Sequence, residues 1–256
     1  MVRVFLVLPD LSRSKAEALA RLGGVDVLLS YTILRWKPSA LERLRVLRSR
    51  LGDVMLDSGA YHQGRGEAWV DPASYASFIQ DNRGLFAYVV APDHPGDPGE
   101  TLARTLSFME HYHGEFIPVV QPGPGHGPHT HIAMVEELDR AGILDRAPRV
   151  GGGVLVGVGG LDGERRRVSY VATLVGEAGR EYPWLRLHLF GAGARILGGL
   201  ARRGLLDQVY SVDSSGWLAE IMWRRRTVHN ADTPLEANTR AIETYIEKVR
   251  QAIEEA

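Results

Sequence analysis

Residues 54–61 read Val-Met-Leu-Asp-Ser-Gly-Ala-Tyr, and the fold can be read outward from them. A short apolar run stops at an aspartate, and the turn formers Ser58 and Gly59 follow at once. Near-continuous apolar character suits a strand covered on both faces, as in a parallel sheet. The same unit recurs in both directions, with apolar runs at residues 2–8, 25–30, 87–91, 117–121, 154–158, 185–190 and 209–212. Together with 54–56 these make eight candidate strands. Helical stretches are predicted between them at residues 14–22, 39–50, 71–82, 100–112, 131–141, 164–181, 194–203 and 215–226, and a last helix at 234–254. Asp71-Pro72 is a good helix start, since proline is pre-organised for the first helical position. Eight β–α alternations predict an α/β fold, a single (β/α)8 TIM barrel over residues 1–256 with a C-terminal helix. An open doubly wound sheet is the alternative for the same alternation.

Composition agrees with one sizeable core: 256 residues, 45% hydrophobic and 24% charged, with no low-complexity tract. The net charge of −1 does not advertise a nucleic-acid partner, although a local basic face matters more than the sum. No cysteine is present, which excludes disulfides and thiolate zinc sites. The opening run is short and broken by Arg3, and no run approaches the roughly 20 apolar residues a membrane helix needs. A soluble, cytoplasmic protein with no membrane partner is expected. Arginine far outnumbers lysine, a lean toward a thermophile.

Barrels place their chemistry at the carboxyl ends of the strands. There the sequence carries Asp57-Ser58-Gly59-Ala60-Tyr61, Pro92-Asp93-His94, Gln121-Pro122-Gly123, Gly157-Val158-Gly159-Gly160-Leu161, Phe190-Gly191-Ala192-Gly193 and Asp213-Ser214-Ser215-Gly216-Trp217. Each has a bland reading: an Asp after a strand is often a helix cap, and paired glycines serve turns. Convergence of six consecutive strand ends on one mouth favours function. The stretch 122–128 (PGPGHGP) reads as a stiff loop, not a linker. His111, His113, His126, His129 and His131 match no zinc spacing, so no metal and no cofactor is called for.

These strand ends, in this order, resemble the tRNA-guanine transglycosylase superfamily, specifically its short zinc-less branch that includes the DNA 7-deazaguanine transglycosylase. The resemblance runs from about Asp53 to Trp217 and rests on Asp57-Ser58-Gly59-Ala60-Tyr61, Asp93, Val119-Val120-Gln121, Val158-Gly159-Gly160-Leu161, His188-Leu189-Phe190-Gly191-Ala192-Gly193 and Asp213. It implies exchange of guanine for a 7-deazaguanine in DNA or tRNA. Asp213 would be the nucleophile of a covalent intermediate and Asp57 the general base. It further implies base binding by Asp93, Gln121, Gly159, Gly160, Leu161, Tyr61, Phe190 and Gly191, and a possible homodimer. The chain departs from the tRNA enzymes in lacking their Cys/His zinc subdomain and C-terminal RNA-binding domains. Phosphate contacts would come from Arg165, Arg166, Arg224, Arg225 and Arg226, with Arg202-Arg203 as a further candidate. The competing expectations are a hydrolase of N-glycosidic bonds, a partner-dependent non-catalytic homologue that binds nucleic acid, and a barrel whose aspartates are only caps.

Overall fold

The computed structural model describes residues 2–60, 69–123, 127–161, 163, 167–227 and 233–256. The chain forms a TIM-barrel-like α/β fold. Eight parallel strands line the barrel: β1 (Arg3–Leu8), β2 (Val27–Ser30), β3 (Val54–Asp57), β4 (Tyr88–Val89), β5 (Val119–Val120), β7 (Gly153–Val158), β8 (Leu185–Leu189) and β9 (Val209–Ser214). The short β6 (Arg149–Val150) pairs antiparallel with the start of β7. The hydrogen-bonded order is β4-β3-β2-β1-β9-β8-β7-β5. A single parallel bridge, Val90 to Ile117, joins β4 to the approach to β5 and closes the ring.

Sequence chemistry explains the thin seam. Pro118 follows Ile117 and has no N–H, so the β5 edge cannot donate continuously. Pairing survives on either side, with Ile117 N donating to Val89 O and Ala91 N donating to Ile117 O. The expected strands at 87–91 and 117–121 therefore shrink to two residues each.

Ten helices occur among the described residues: α1 (Arg13–Leu22), α2 (Tyr31–Leu34), α3 (Pro38–Leu47), α4 (Pro72–Asp81), α5 (Pro98–His111), α6 (His129–Arg140), α7 (Val168–Glu181), α8 (Ala194–Ala201), α9 (Gly216–Thr227) and α10 (Pro234–Glu254). Proline opens α3, α4, α5 and α10, where a missing N–H costs nothing. Thr233 and Glu236 form a reciprocal capping box at α10. That helix lays Ala241, Ile242, Tyr245 and Val249 into the core, while Ile246 is 42% exposed. The helix α2 and strand β6 are absent from the sequence prediction, because four and two residues are too few to show a period.

Two apolar layers result. The outer one lies between strands and helices. The inner one fills the barrel with Phe5, Leu28, Met55, Val90, Ile117, Val119 and Leu155. Strand alternation stacks polar layers above and below it, as along β3, where Asp53, Met55 and Asp57 fall on one side. The lower layer centres on Arg3. Its guanidinium binds Asp26 through Nε (2.9 Å) and Nη2 (2.7 Å), Asp53 (2.5 Å) and the Tyr210 hydroxyl (3.2 Å). Tyr88 and Tyr210 share a hydroxyl–hydroxyl bond of 2.7 Å beside it. The upper layer holds the site.

Candidate acid–base site at the barrel mouth

Asp57 is the last residue of β3, and its Oδ2 accepts from Gly59 N at 3.0 Å. Gly59 has φ +92°, and a Cβ there would lie 2.6–2.7 Å from the side chains of Ser30 and Thr32. Only glycine makes this turn, so Gly59 is dictated locally. Asp93, just past β4, is buried and accepts from Gln121 Nε2 at 2.5 Å. Gln121 Oε1 in turn accepts from Gly96 N at 3.3 Å. A Cβ on Gly159 would lie 2.2 Å from Gln121 Nε2, and one on Gly160 2.5 Å from Pro122 Cδ. The Gly-Gly pair thus lets the β7 loop lie against Gln121. Asp213, in β9, accepts from Gly191 N at 2.9 Å, and its Oδ1 lies 3.3 Å from His188 Nε2.

The three aspartates are not caps. Asp71 and Asp97 take that role, accepting from Ser74 N and Glu100 N at the starts of α4 and α5. Asp57, Asp93 and Asp213 instead come from three different strand ends, and the charges of the other two act on Asp57. Burial pushes the Asp57 carboxyl up to about 7; Asp93 and, more weakly, Asp213 add like-charge repulsion against the pull of the Gly59 N–H. Burial also raises Asp93, to about 6, with the Gln121 hydrogen bond acting in the opposite direction.

Several other expected residues join this group. Leu161 is buried at the mouth. The Phe190 ring stands edge-on to His188 with centroids 4.5 Å apart, and a Cβ on Gly157 would meet it at 2.6 Å. Tyr61, Arg165, Arg166 and His126 lie outside the described residues, as do the side chains of Arg224, Arg225 and Arg226. The backbone of α9 carries these last three away from the mouth, eight to ten residues beyond Gly216 and so about 12–15 Å along the axis. Arg202 and Arg203 follow α8 and precede β9, at the barrel end opposite the site. Among the described residues no group of three or more His, Cys, Asp or Glu could hold a metal. His131 is buried, and its Nε2 is 3.0 Å from Gly159 O, so it supports the glycine turn. No helix among the described residues is long and apolar enough to cross a membrane.

Sequence reasoning missed the pairing of His188 with Ser211, although His188/Phe190 and Ser211/Asp213 show the two-residue spacing that puts side chains on one strand face. It also missed a stack at the rim, where the Trp69 ring lies 4.2 Å from the His94 ring and the Arg104 guanidinium sits 4.3 Å from the Trp69 centroid. A cavity of about 440 Å³ beside Asn82, Arg83, Phe86, Tyr112 and His113 belongs to the opposite end, before β4 and β5.

No family model matches the chain, and no curated protein does. Solved structures match its whole length. One named as a fructose-1,6-biphosphate aldolase from Coccidioides immitis aligns with TM-score 0.56 and 13% identity, over 99% of this chain and 89% of that one. A native KDPGal structure aligns with TM-score 0.54 and 8% identity, over 98% and 96%. The carboxyl transferase domain of Rhizobium etli pyruvate carboxylase aligns with TM-score 0.53 and 15% identity, over 99% and 48%. At these identities the likeness is one of fold. The comparisons overturn the expected membership of the transglycosylase superfamily, and with it guanine exchange and the 7-deazaguanine and queuosine-type chemistry. Hydrolysis of N-glycosidic bonds and the nucleic-acid-binding homologue are likewise unsupported. The physical source of the misreading is visible: Asp-Ser-Gly and Gly-Gly-Leu are turns that Gly59 and Gly160 satisfy for steric reasons, so a barrel of another family can carry them.

Proposed function

We propose that this protein is an enzyme that moves a proton to and from carbon on a small, neutral or cationic substrate held in the barrel mouth. Three carboxylates from separate strand ends lie at the barrel mouth, near enough that Asp93 and Asp213 act on Asp57, and this observation carries the reading. Asp57 is the general acid–base, since a carboxyl titrating near 7 can both take and return a proton at neutral pH. Asp213, across the mouth on β9, is the second acid–base group, and Asp93 with Gln121 orients the substrate. The concentration of negative charge disfavours an anion in the same place.

The lysines argue against Schiff-base chemistry. The chain has three. Lys15 pairs with Asp10 at 2.8 Å, Lys37 is exposed ahead of α3, and Lys248 reaches Glu220 on the outer helices. None stands among the mouth carboxylates to form a covalent imine.

A panel of compounds tests this directly. The protein is incubated in D2O with unphosphorylated hydroxy acids, keto acids, amino acids and sugars, and mass spectrometry reads deuterium gained at carbon. Exchange that falls about a hundredfold or more in Asp57→Asn supports the proposal. No exchange with any compound, or exchange undiminished by the substitution, rejects it.

A further inference from the structure

We propose that His188 and the Gly191 amide form a built anion cradle whose occupant is the side chain of Asp213, so that His188 is the positioning residue of the site. The proposal rests on the acid–base reading of Asp213 above, but its geometry stands independently. His188 and Ser211 are fully buried, and Asp213 is 6% exposed. His188 Nδ1 lies 2.8 Å from Ser211 Oγ, and the buried Nε2 lies 3.3 Å from Asp213 Oδ1, close enough for charge interaction but without a hydrogen bond to it or to any other group. Gly191 N donates to the same carboxylate oxygen at 2.9 Å.

These contacts fix the tautomer. Were Nδ1 to carry the only proton, the Nε2 lone pair would face a carboxylate oxygen in a dry site. With the Ser211 hydroxyl donating to Nδ1, the proton sits on Nε2, on the Asp213 side of the ring; in the imidazolium Nε2 keeps its proton and Nδ1–H donates to Ser211 Oγ instead. Ser211 thus orients the ring, the Gly191 N–H holds the carboxylate by a hydrogen bond, and His188 Nε2 lies beside the same oxygen, a small ring rotation from donating to it. The Phe5 and Phe190 rings flank the imidazole edge-on, with centroids 6.0 and 4.5 Å away, and leave it no alternative partner.

A cradle built for a carboxylate should accept one supplied from outside once its own is removed. Asp213→Ala empties it of the carboxyl group, and formate is the probe. Carboxyl ¹³C NMR follows Asp57, whose neighbours in charge are Asp93 and Asp213. The expected result is a downward shift of the Asp57 midpoint in Asp213→Ala, reversed by millimolar formate. Formate should bind about tenfold or more weakly when His188→Leu is added, and recover with His188→Gln, whose amide keeps a donor at the Nε2 position. A folded Asp213→Ala that ignores formate overturns the proposal, as does formate binding unaffected by His188→Leu. Because a buried histidine replacement can unfold the chain, a second readout uses otherwise intact protein. Imidazole ¹⁵N shifts should report a proton on Nε2 of His188, and loss of that preference in Ser211→Ala; an Nδ1-only tautomer overturns the cradle. None of these readouts requires turnover, so a failed deuterium-exchange test leaves them standing and their failure leaves that test intact.

Discussion

Below about pH 4 Asp57 is protonated whether or not the chain is folded, because an unfolded aspartate titrates near 3.9. Above that the unfolded state releases its proton first, since the folded carboxyl holds on until about 7. The folded state then binds more protons, so stability falls as pH rises from about 4 to about 7 and levels off beyond. Asp93, raised to about 6, adds to the same slope over the lower part of that window. Asp57→Asn removes the Asp57 share. It should stabilise the protein by about 2 kcal/mol at pH 8 and by little at pH 4, while abolishing proton transfer. Urea unfolding at the two pH values checks this; a variant less stable than wild type at pH 8 would show that the carboxylate is paired rather than strained. Asp57, Asp93, Gln121 and Asp213 were legible in the sequence because polar residues ending apolar runs stand out. The pairing of His188 with Ser211 was not, because inside a strand a buried polar residue looks like an ordinary exposed one until its partner across the ladder is known.

At the scale of elements, the turns after the strands do more than connect. Gly160 and Gly204 have nearly equal φ, +66° and +65°, but a Cβ on Gly204 meets nothing within 4 Å while one on Gly160 strikes Pro122 and Gln121. Alanine at Gly204 should cost about 1 kcal/mol, the backbone penalty alone. Alanine at Gly160 should cost about 1–3 kcal/mol more, because the 121–122 segment must shift. It should also weaken the Asp93–Gln121 contact, visible as a changed Asp93 titration. Equal costs at the two positions would show that the loop yields freely. Helix positions were readable from caps and spacing, with Pro234–Glu254 matching at both ends. Strands β4 and β5 were overread, because hydrophobicity reports burial and not whether a proline has removed the ladder's donor.

For the whole molecule, the polar layer under the barrel is as consequential as the mouth. Arg3 holds Asp26 and Asp53 from two neighbouring strands. Arg3→Met leaves two partly buried carboxylates without their cation and should cost about 3 kcal/mol by urea unfolding. Adding Asp26→Asn and Asp53→Asn should recover much of that, since the stranded charges are then gone; no recovery would mean that Arg3 acts through packing. Nothing in the sequence joins residues 3, 26, 53 and 210, which become neighbours only when the strands are laid side by side. The eightfold alternation was enough to find the barrel, whereas shared turn chemistry among barrels was enough to suggest the wrong relatives.

The seam between β4 and β5 then takes on a second meaning. The ring is a hoop with one weak join, and Asp93 and Gln121 stand on its two sides, so their hydrogen bond is a clasp fastened from within. Whatever occupies the mouth and draws Asp93 away from Gln121 also unfastens the hoop, and whatever bridges the two tightens it. Occupancy should therefore be audible far from the ligand, in the rate at which the backbone amides of Ala91 and Ile117 trade hydrogen for deuterium, and Gln121→Ala should quicken that trade at the join while leaving the amides between β1 and β2 at their usual pace.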